Sequence, residues 1–275
     1  MILRCRDRVL SLAGPQVMGV LNVTPDSFSD GGSATDLSRA IEKAEMMVAA
    51  GAAIIDVGGE STRPGAELVP VAEELRRVVP VVDALCQHLD TIVSVDTRKP
   101  EVMRAALAAG AHMINDVSAL QSAEALALLV ESEAAVCLMH MQGEPASMQQ
   151  TPTYTDVVAE VRSFLAARIT SVTGAGISLD RILVDPGFGF GKSLQHNLRL
   201  LKELAQLTDL GCPLLVGLSR KSMLGELLNV PPLERLNGSL AAAALAVSAG
   251  ARVVRSHDVG ATVEALRVVD GVLEA

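Results

Sequence analysis

With 275 residues, 49% of them hydrophobic, and 32 acidic against 23 basic side chains for a formal charge of −9, the chain is long enough to bury a large core in one domain spanning 1–275. The acidic balance excludes a general nucleic-acid or membrane-surface binder, whose affinity comes from clustered basic residues, so any anionic ligand must find local positive charge.

The N-terminal stretch, Met1 to Gly14, carries Arg4, Arg6, Asp7 and Arg8 without the apolar run of a signal peptide, and reads as mature protein. From there short apolar runs alternate with helical stretches, and each run stops at a polar residue. Val17 to Leu21 stops at Asn22, and a helix is expected over Asp36 to Ala50, with Thr35 or Asp36 as its cap. Ala52 to Ile55 stops at Asp56, before a helix over Pro70 to His88; Ile92 to Val95 stops at Asp96, before Pro100 to Ala109. His112 to Ile114 stops at Asn115, before Ser122 to Glu131; Ala134 to Met139 stops at His140, before Tyr154 to Thr173. Ile182 to Val184 stops at Asp185, before Leu194 to Leu207. Leu214 to Leu218 stops at Ser219, before Leu233 to Ala249, and Arg252 to Val254 stops at Arg255, before Val259 to Leu273. Pro100 suits a first turn, and Gly51, Gly110 and Gly250 suit helix ends.

Eight strand-then-helix units in one chain predict a (β/α)8 TIM barrel of the α/β class, each helix being the crossover that a parallel strand pair needs. The loops that follow the strands then form one mouth, where chain-distant polar residues meet. Three of these loops are long: Asn22 to Thr35, Gly58 to Val69 and Met141 to Thr153. The apolar stretch Leu240 to Val254 contains Ser248, Gly250 and Arg252 and is too short to cross a membrane. Cys5, Cys86, Cys137 and Cys212 are scattered without a C-x-x-C pair, which suggests neither a disulfide framework nor a zinc site and fits free thiols in the cytoplasm.

The strand-end segments are distinctive as a set. They read N-V-T-P-D-S-F-S-D-G-G from Asn22, G-G-E-S-T-R-P-G-A from Gly58, S-V-D-T-R-K-P from Ser94 and I-N-D-V from Ile114. M-H-M-Q-G from Met139, D-P-G-F-G-F-G-K from Asp185, G-L-S-R-K-S from Gly217 and R-S-H-D-V from Arg255 complete them. In this order and at these places the chain closely resembles the bacterial dihydropteroate synthases, from Val17 to its C-terminus. The resemblance implies a transferase of folate biosynthesis that joins p-aminobenzoate to 6-hydroxymethyl-7,8-dihydropterin diphosphate, releasing pyrophosphate by an SN1-like dissociative path.

The resemblance also implies residue roles. Thr62, Asp96, Asn115, Asp185 and Lys221 would bind the pterin, whose edge of ring N–H, amino and carbonyl groups suits deep carboxylates and an amide. Asn22, Arg63, Arg255 and His257 would take the diphosphate, with Asn22 as a ligand of Mg²⁺. Phe28, Thr62, Arg63, Pro64, Phe190, Lys221 and Ser222 would form the p-aminobenzoate site, where sulfonamides compete. Asp96, Lys221, Arg255 and His257 would act in catalysis, and Ser27, Asp30, Gly31 and Gly32 would belong to a lid. Ser256 stands where an aliphatic residue is more usual, and strand alternation turns it away from its neighbours.

Other readings of the same residues stand beside these. Lys221 alone could be a Schiff-base lysine. A pterin-binding methyltransferase would share Asp96, Asn115 and Asp185, and a non-catalytic paralogue would keep the barrel without turnover. Gly187 to Ser193 imitates a nucleotide-binding phosphate loop, but Pro186 occupies its first glycine position; the glycines are expected to approach the pterin face, with Lys192 in solvent. Phe28, Phe188 and Phe190 are expected at the mouth. The Ala-rich segment Leu240 to Ala249 packs either on the barrel or on a second subunit, and the resemblance implies a homodimer.

Overall fold

The computed structural model describes residues 1–23, 34–60, 68–144 and 147–275. Among them, eight parallel strands close into a barrel, β3 (Gln16–Asn22), β4 (Ile54–Gly58), β5 (Ile92–Asp96), β6 (Met113–Asp116), β7 (Ala135–Met139), β8 (Ile182–Asp185), β9 (Leu214–Gly217) and β10 (Ala251–Ser256), the last pairing with β3. The crossovers carry α1 (Ala34–Ala49), α2 (Val71–His88), α3 (Pro100–Ala108), α4 (Ala123–Glu131), α5 (Val157–Gly174), α6 (Leu194–Lys202), α7 (Ser222–Leu228), α8 (Leu236–Ser248) and α9 (Val259–Leu273). The expected (β/α)8 barrel is the fold.

Period-two alternation divides each strand between two cores. Ile55, Val57, Val93, Val95, Ile114, Val136, Val184, Val216 and Val254 face outward into the layer between sheet and helices. Met18, Ile54, Ile92, Met113, Leu183, Leu215 and Val253 face inward and fill the barrel floor. The next inward positions towards the strand ends include Asp56, Ser94, Asp96, Asn115 and Asp185, all buried. The pleat therefore sets a polar layer directly above an apolar one.

Several boundaries differ from the sequence expectations for identifiable reasons. Met1 to Gly14 holds an antiparallel hairpin, β1 (Ile2–Cys5) with β2 (Arg8–Ser11), and Leu3, Cys5 and Leu12 close the floor. The helix expected from Tyr154 starts at Val157, because Asp156 caps it by accepting from the Val158 and Ala159 N–H groups. The one expected over Leu194 to Leu207 ends at Lys202 and gives way to a 3-10 segment, Leu204–Leu210. The one expected from Leu233 begins at Leu236, after a 3-10 turn at Pro232–Glu234, since Pro231 and Pro232 cannot continue a helix. The short α7, ending at left-handed Asn229, was not expected. Thr35 and Asp36 fall inside α1 rather than at its cap, whereas Gly51, Gly110 and Gly250 have φ of 99°, 101° and 102°, as helix-ending glycines should.

Candidate active site

The polar layer is organised around one guanidinium. Arg255 points inward from β10; its Nε donates to Asp56 Oδ2 at 2.6 Å and its Nη2 to Asp96 Oδ2 at 2.8 Å. Asn115 Nδ2 donates to the same Asp56 oxygen at 3.1 Å, so side chains from β4, β5, β6 and β10 form one network. Among the described residues, Asp56 Oδ1 and Asp96 Oδ1 are buried without a hydrogen-bond partner. A buried acceptor in that state costs about 1–3 kcal/mol, which a ligand presenting N–H groups would recover.

Charge crowding shifts these acids. Burial pushes the Asp96 carboxyl up to about 7, with Asp56 and Glu74 adding to the rise and Arg255 and Lys221 opposing it. Burial also raises Asp185, against the Gly187 N–H, which donates to its Oδ1 at 2.7 Å, and against Lys221, Lys192 and Arg255. Burial works against the Arg255 charge too, but Asp56 and Asp96 outweigh it and keep the guanidinium protonated. Perturbed acids meeting at the strand ends of a barrel mark a functional site.

Around this centre, Asn22 ends β3 across Gly58 from Asp96: a methyl built on Gly58 would meet Asn22 Oδ1 at 3.7 Å and Asp96 Oδ2 at 3.9 Å. Lys221 Nζ lies 4.2 Å from the centroid of the Phe190 ring, which is buried against Val117, Met139 and Met148. His257 Nδ1 stands 3.1 Å from Ser219 Oγ, and Ser222 opens α7 as an exposed residue. Ser256 turns away from the mouth, as alternation predicts, and its Oγ pairs with Thr262 Oγ1 at 2.8 Å. Ser27, Phe28, Asp30, Gly31, Gly32, Thr62, Arg63 and Pro64 lie outside the described residues.

Two expectations are corrected. Lys192 is 2% exposed rather than solvated, with Nζ 3.0 Å from His140 Nδ1 and donating to the Gly187 and Phe190 carbonyls at 2.9 and 3.1 Å. Two glycines of that loop also serve its packing: a Cβ at Gly187 or Gly191 would overlap the His140 or Gln142 carbonyl, so they let the loop lie against the chain after β7, while Gly189 faces Lys221, whose Cδ a Cβ there would meet at 3.3 Å. Phe188 belongs to the core between barrel and helices, not to the mouth.

Asp56, which the sequence marked as a strand end, is a site residue that was missed: it sits inside β4 and holds both Arg255 and Asn115. A carboxylate inside an otherwise apolar strand was the available signal. A second missed cluster supports the stem of the following loop. Lys99 Nζ donates to Glu60 Oε2 at 2.8 Å, to fully buried Glu74 Oε2 at 2.5 Å and to the Val69 carbonyl at 2.6 Å, while Thr97 Oγ1 donates to Glu74 Oε1 at 2.7 Å. The T-R-K run after Asp96 carried that signal.

Comparison with known proteins adds an independent line. Residues 18–257 match the family model described as pterin binding enzyme. The chain is 55% identical over 266 residues to the dihydropteroate synthase of Escherichia coli (strain K12), covering 97% of this chain and 94% of that one. It is 48% identical to the enzyme of Haemophilus influenzae, over 98% of both chains. Among solved structures, Yersinia pestis dihydropteroate synthase with a sulfonamide drug superposes with a TM-score of 0.95 at 51% identity, each chain covered completely. The Xanthomonas albilineans enzyme in complex with 7,8-dihydropteroate gives a TM-score of 0.89 at 46% identity, covering 100% of this chain and 99% of that one.

Proposed function

The chain belongs to the pterin-binding enzyme family as a dihydropteroate synthase, and from that premise we propose how its residues divide the work of joining p-aminobenzoate to 6-hydroxymethyl-7,8-dihydropterin diphosphate. The carrying observation is the ring of inward carboxylates, Asp56, Asp96 and Asp185, with two buried oxygens that lack a partner among the described residues. A dihydropterin supplies the complementary edge. Asp185 takes its amino and ring N–H groups; Asn115, whose Nδ2 is committed to Asp56, presents its carboxamide oxygen; Asp96 takes a ring N–H near the reacting side. Thr62 and Lys221 complete the pterin contacts.

The methylene carbon loses diphosphate before the amine attacks, in an SN1-like path. Asp96, supported by Asp185, stabilises the cation, and no strong protein base is needed. Arg255 and His257 neutralise the leaving group with Arg63; Arg255 Nη1 is the guanidinium nitrogen that neither carboxylate uses. Asn22 Oδ1, a hard oxygen at the mouth, would hold Mg²⁺, which would supply charge neutralisation for the leaving group.

The amine acceptor lies between Phe190, Phe28 and the Thr62, Arg63 and Pro64 wall, with Lys221 at its neck and Ser222 at its carboxylate; sulfonamides compete there. Ser27, Asp30, Gly31 and Gly32 form a lid that keeps water from the cation. A second copy of the chain covers α8 and α9, where Leu245, Val268 and Val272 are 62%, 69% and 71% exposed. Sedimentation should give twice the chain mass. We place the enzyme in the cytoplasm, the compartment in which its four free thiols would stay reduced.

The deciding assay is pyrophosphate release from both substrates, with and without Mg²⁺. Metal-dependent release that continues slowly without p-aminobenzoate supports the dissociative path. Release that strictly requires the amine contradicts it, and no release with both substrates present contradicts catalysis.

A further inference from the structure

The loop that joins β8 to α6, residues 186–193, carries groups of both proposed subsites. Asp185 precedes it, and Phe190 lies within it. Its carbonyls are tied almost one by one: Gly187 O accepts from Phe190 N at 3.1 Å, Gln149 Nε2 donates to Gly189 O, Tyr154 OH to Gly191 O at 2.8 Å, and Asn197 Nδ2 to Lys192 O and Ser193 O at 3.1 and 2.8 Å. Inside this frame sits the Lys192 ammonium. An ammonium has three N–H groups, and its three nearest acceptors lie at 3.0, 2.9 and 3.1 Å: His140 Nδ1, Gly187 O and Phe190 O, with the His140 carbonyl farther off at 3.5 Å. Each of the three donors has an acceptor within 3.1 Å.

We propose that Lys192 is a positioning residue for the amine acceptor, holding the Phe190 ring in place through the Phe190 carbonyl and, through Gly187, steadying the Asp185 carboxylate. The inference rests on the reading of Phe190 as the p-aminobenzoate wall. Both linkages are short. Phe190 O binds the ammonium while the ring of the same residue meets Lys221, and Gly187 offers its carbonyl to Lys192 and its N–H to Asp185 Oδ1 at 2.7 Å.

The charged groups facing Lys192 come from three elements: His140 after β7, Asp185 at the end of β8 and Lys221 before α7. Burial lowers His140 to about 3, helped by the Lys192 charge, so its ring is neutral and Nδ1 is free to accept. Burial also lowers Lys192, to about 7, with Asp185 opposing and Lys221 adding to the fall. If Lys192 loses its proton, the tautomer of His140 with Nδ1–H can donate to the amine, and two N–H groups remain for the two carbonyls. The socket keeps its bonds in both protonation states.

The test uses the full chain and steady-state kinetics in both substrates for Lys192→Met, Phe190→Leu and the double variant. Lys192→Met should raise the KM for p-aminobenzoate by about tenfold or more and the KM for the pterin diphosphate by only about twofold. Because the lysine acts through Phe190, the double variant should be no worse for p-aminobenzoate than the worse single variant. A folded Lys192→Met enzyme with unchanged KM for p-aminobenzoate, or additive losses in the double variant, would overturn the inference. If Phe190→Leu alone changes nothing, the Phe190 wall itself is wrong, which is a distinct failure. Should Lys192→Met not fold, the intact chain still decides: with only five lysines, selective nitrogen labelling resolves their Nζ signals. Below pH 6, where Lys192 carries its proton, it should give a slowly exchanging ammonium signal that shifts when p-aminobenzoate saturates the enzyme; a fast-exchanging signal, or one indifferent to the ligand, would overturn the inference.

Discussion

Ile54 and Asp56 point into the same barrel from the same strand, about 6.6 Å apart, and their surroundings are opposite. The floor around Ile54 is closed by protein alone: Met18, Ile92, Met113 and Leu183 meet Leu3, Cys5 and Leu12 of the hairpin in a dry cluster. The mouth around Asp56 places three carboxylates beside one arginine and leaves two buried carboxylate oxygens and the Ser94 hydroxyl without a partner among the described residues. The floor is complete within the chain, whereas the mouth has the chemistry of a site finished by its guest. One pleat, stepped by two residues, therefore separates what holds the barrel together from what it does.

That separation can be attacked from both ends. The largest effect is expected at the mouth. Arg255→Met removes the partner of two buried carboxylates and the cation proposed for the leaving group; turnover should fall by on the order of 10³ in a pyrophosphate-release assay. Retention of a tenth of the activity would break the distinction.

At the floor, Met18→Ala should lower unfolding free energy by about 2–5 kcal/mol in denaturant titration. KM for both substrates in the folded fraction should stay within about twofold, because the Met18 side chain packs into the apolar floor cluster, even though its backbone pairs with Arg255. A changed KM would show that the two layers communicate.

A smaller effect tests the shoulder between them, at His140. Its folded-state pKa is lowered to about 3 from 6.5, so below pH 6.5 the unfolded chain takes up a proton that the folded chain refuses. Stability from this group is fully present above pH 6.5 and is lost as pH falls towards 3, by at most about 1.4 kcal/mol per pH unit. Lys192 carries its proton in both states across the lower part of that window and does not contribute there. The wild-type stability curve should accordingly be steeper than that of His140→Leu between pH 6 and about 4; parallel curves would mean that His140 is protonated in the fold.

The order of strands and helices was legible because alternation and strand-end residues repeat eight times, and Asp96, Asn115, Asp185 and Arg255 stand at the inward positions that this period predicts. Asp56 was less legible. It reads as the end of a run, but Val57 and Gly58 extend β4 past it, so the acid lies one inward step deeper than its neighbours on the rim. Lys192 was misread because a lysine after glycines is ordinarily solvated, and nothing local reveals that His140 and two carbonyls surround it. Pro231 and Pro232 explain why one expected helix became a turn and a later start, while the seven-residue α7 is too short for periodicity to reveal.

Recognition of a pterin by the acids of the mouth is the central step. Calorimetric titration of the pterin diphosphate into the intact chain and into Asp185→Asn measures this without turnover. Affinity should fall by about tenfold to a hundredfold in the variant, as expected when paired N–H donors lose a charged acceptor; equal affinity in the two proteins would contradict it.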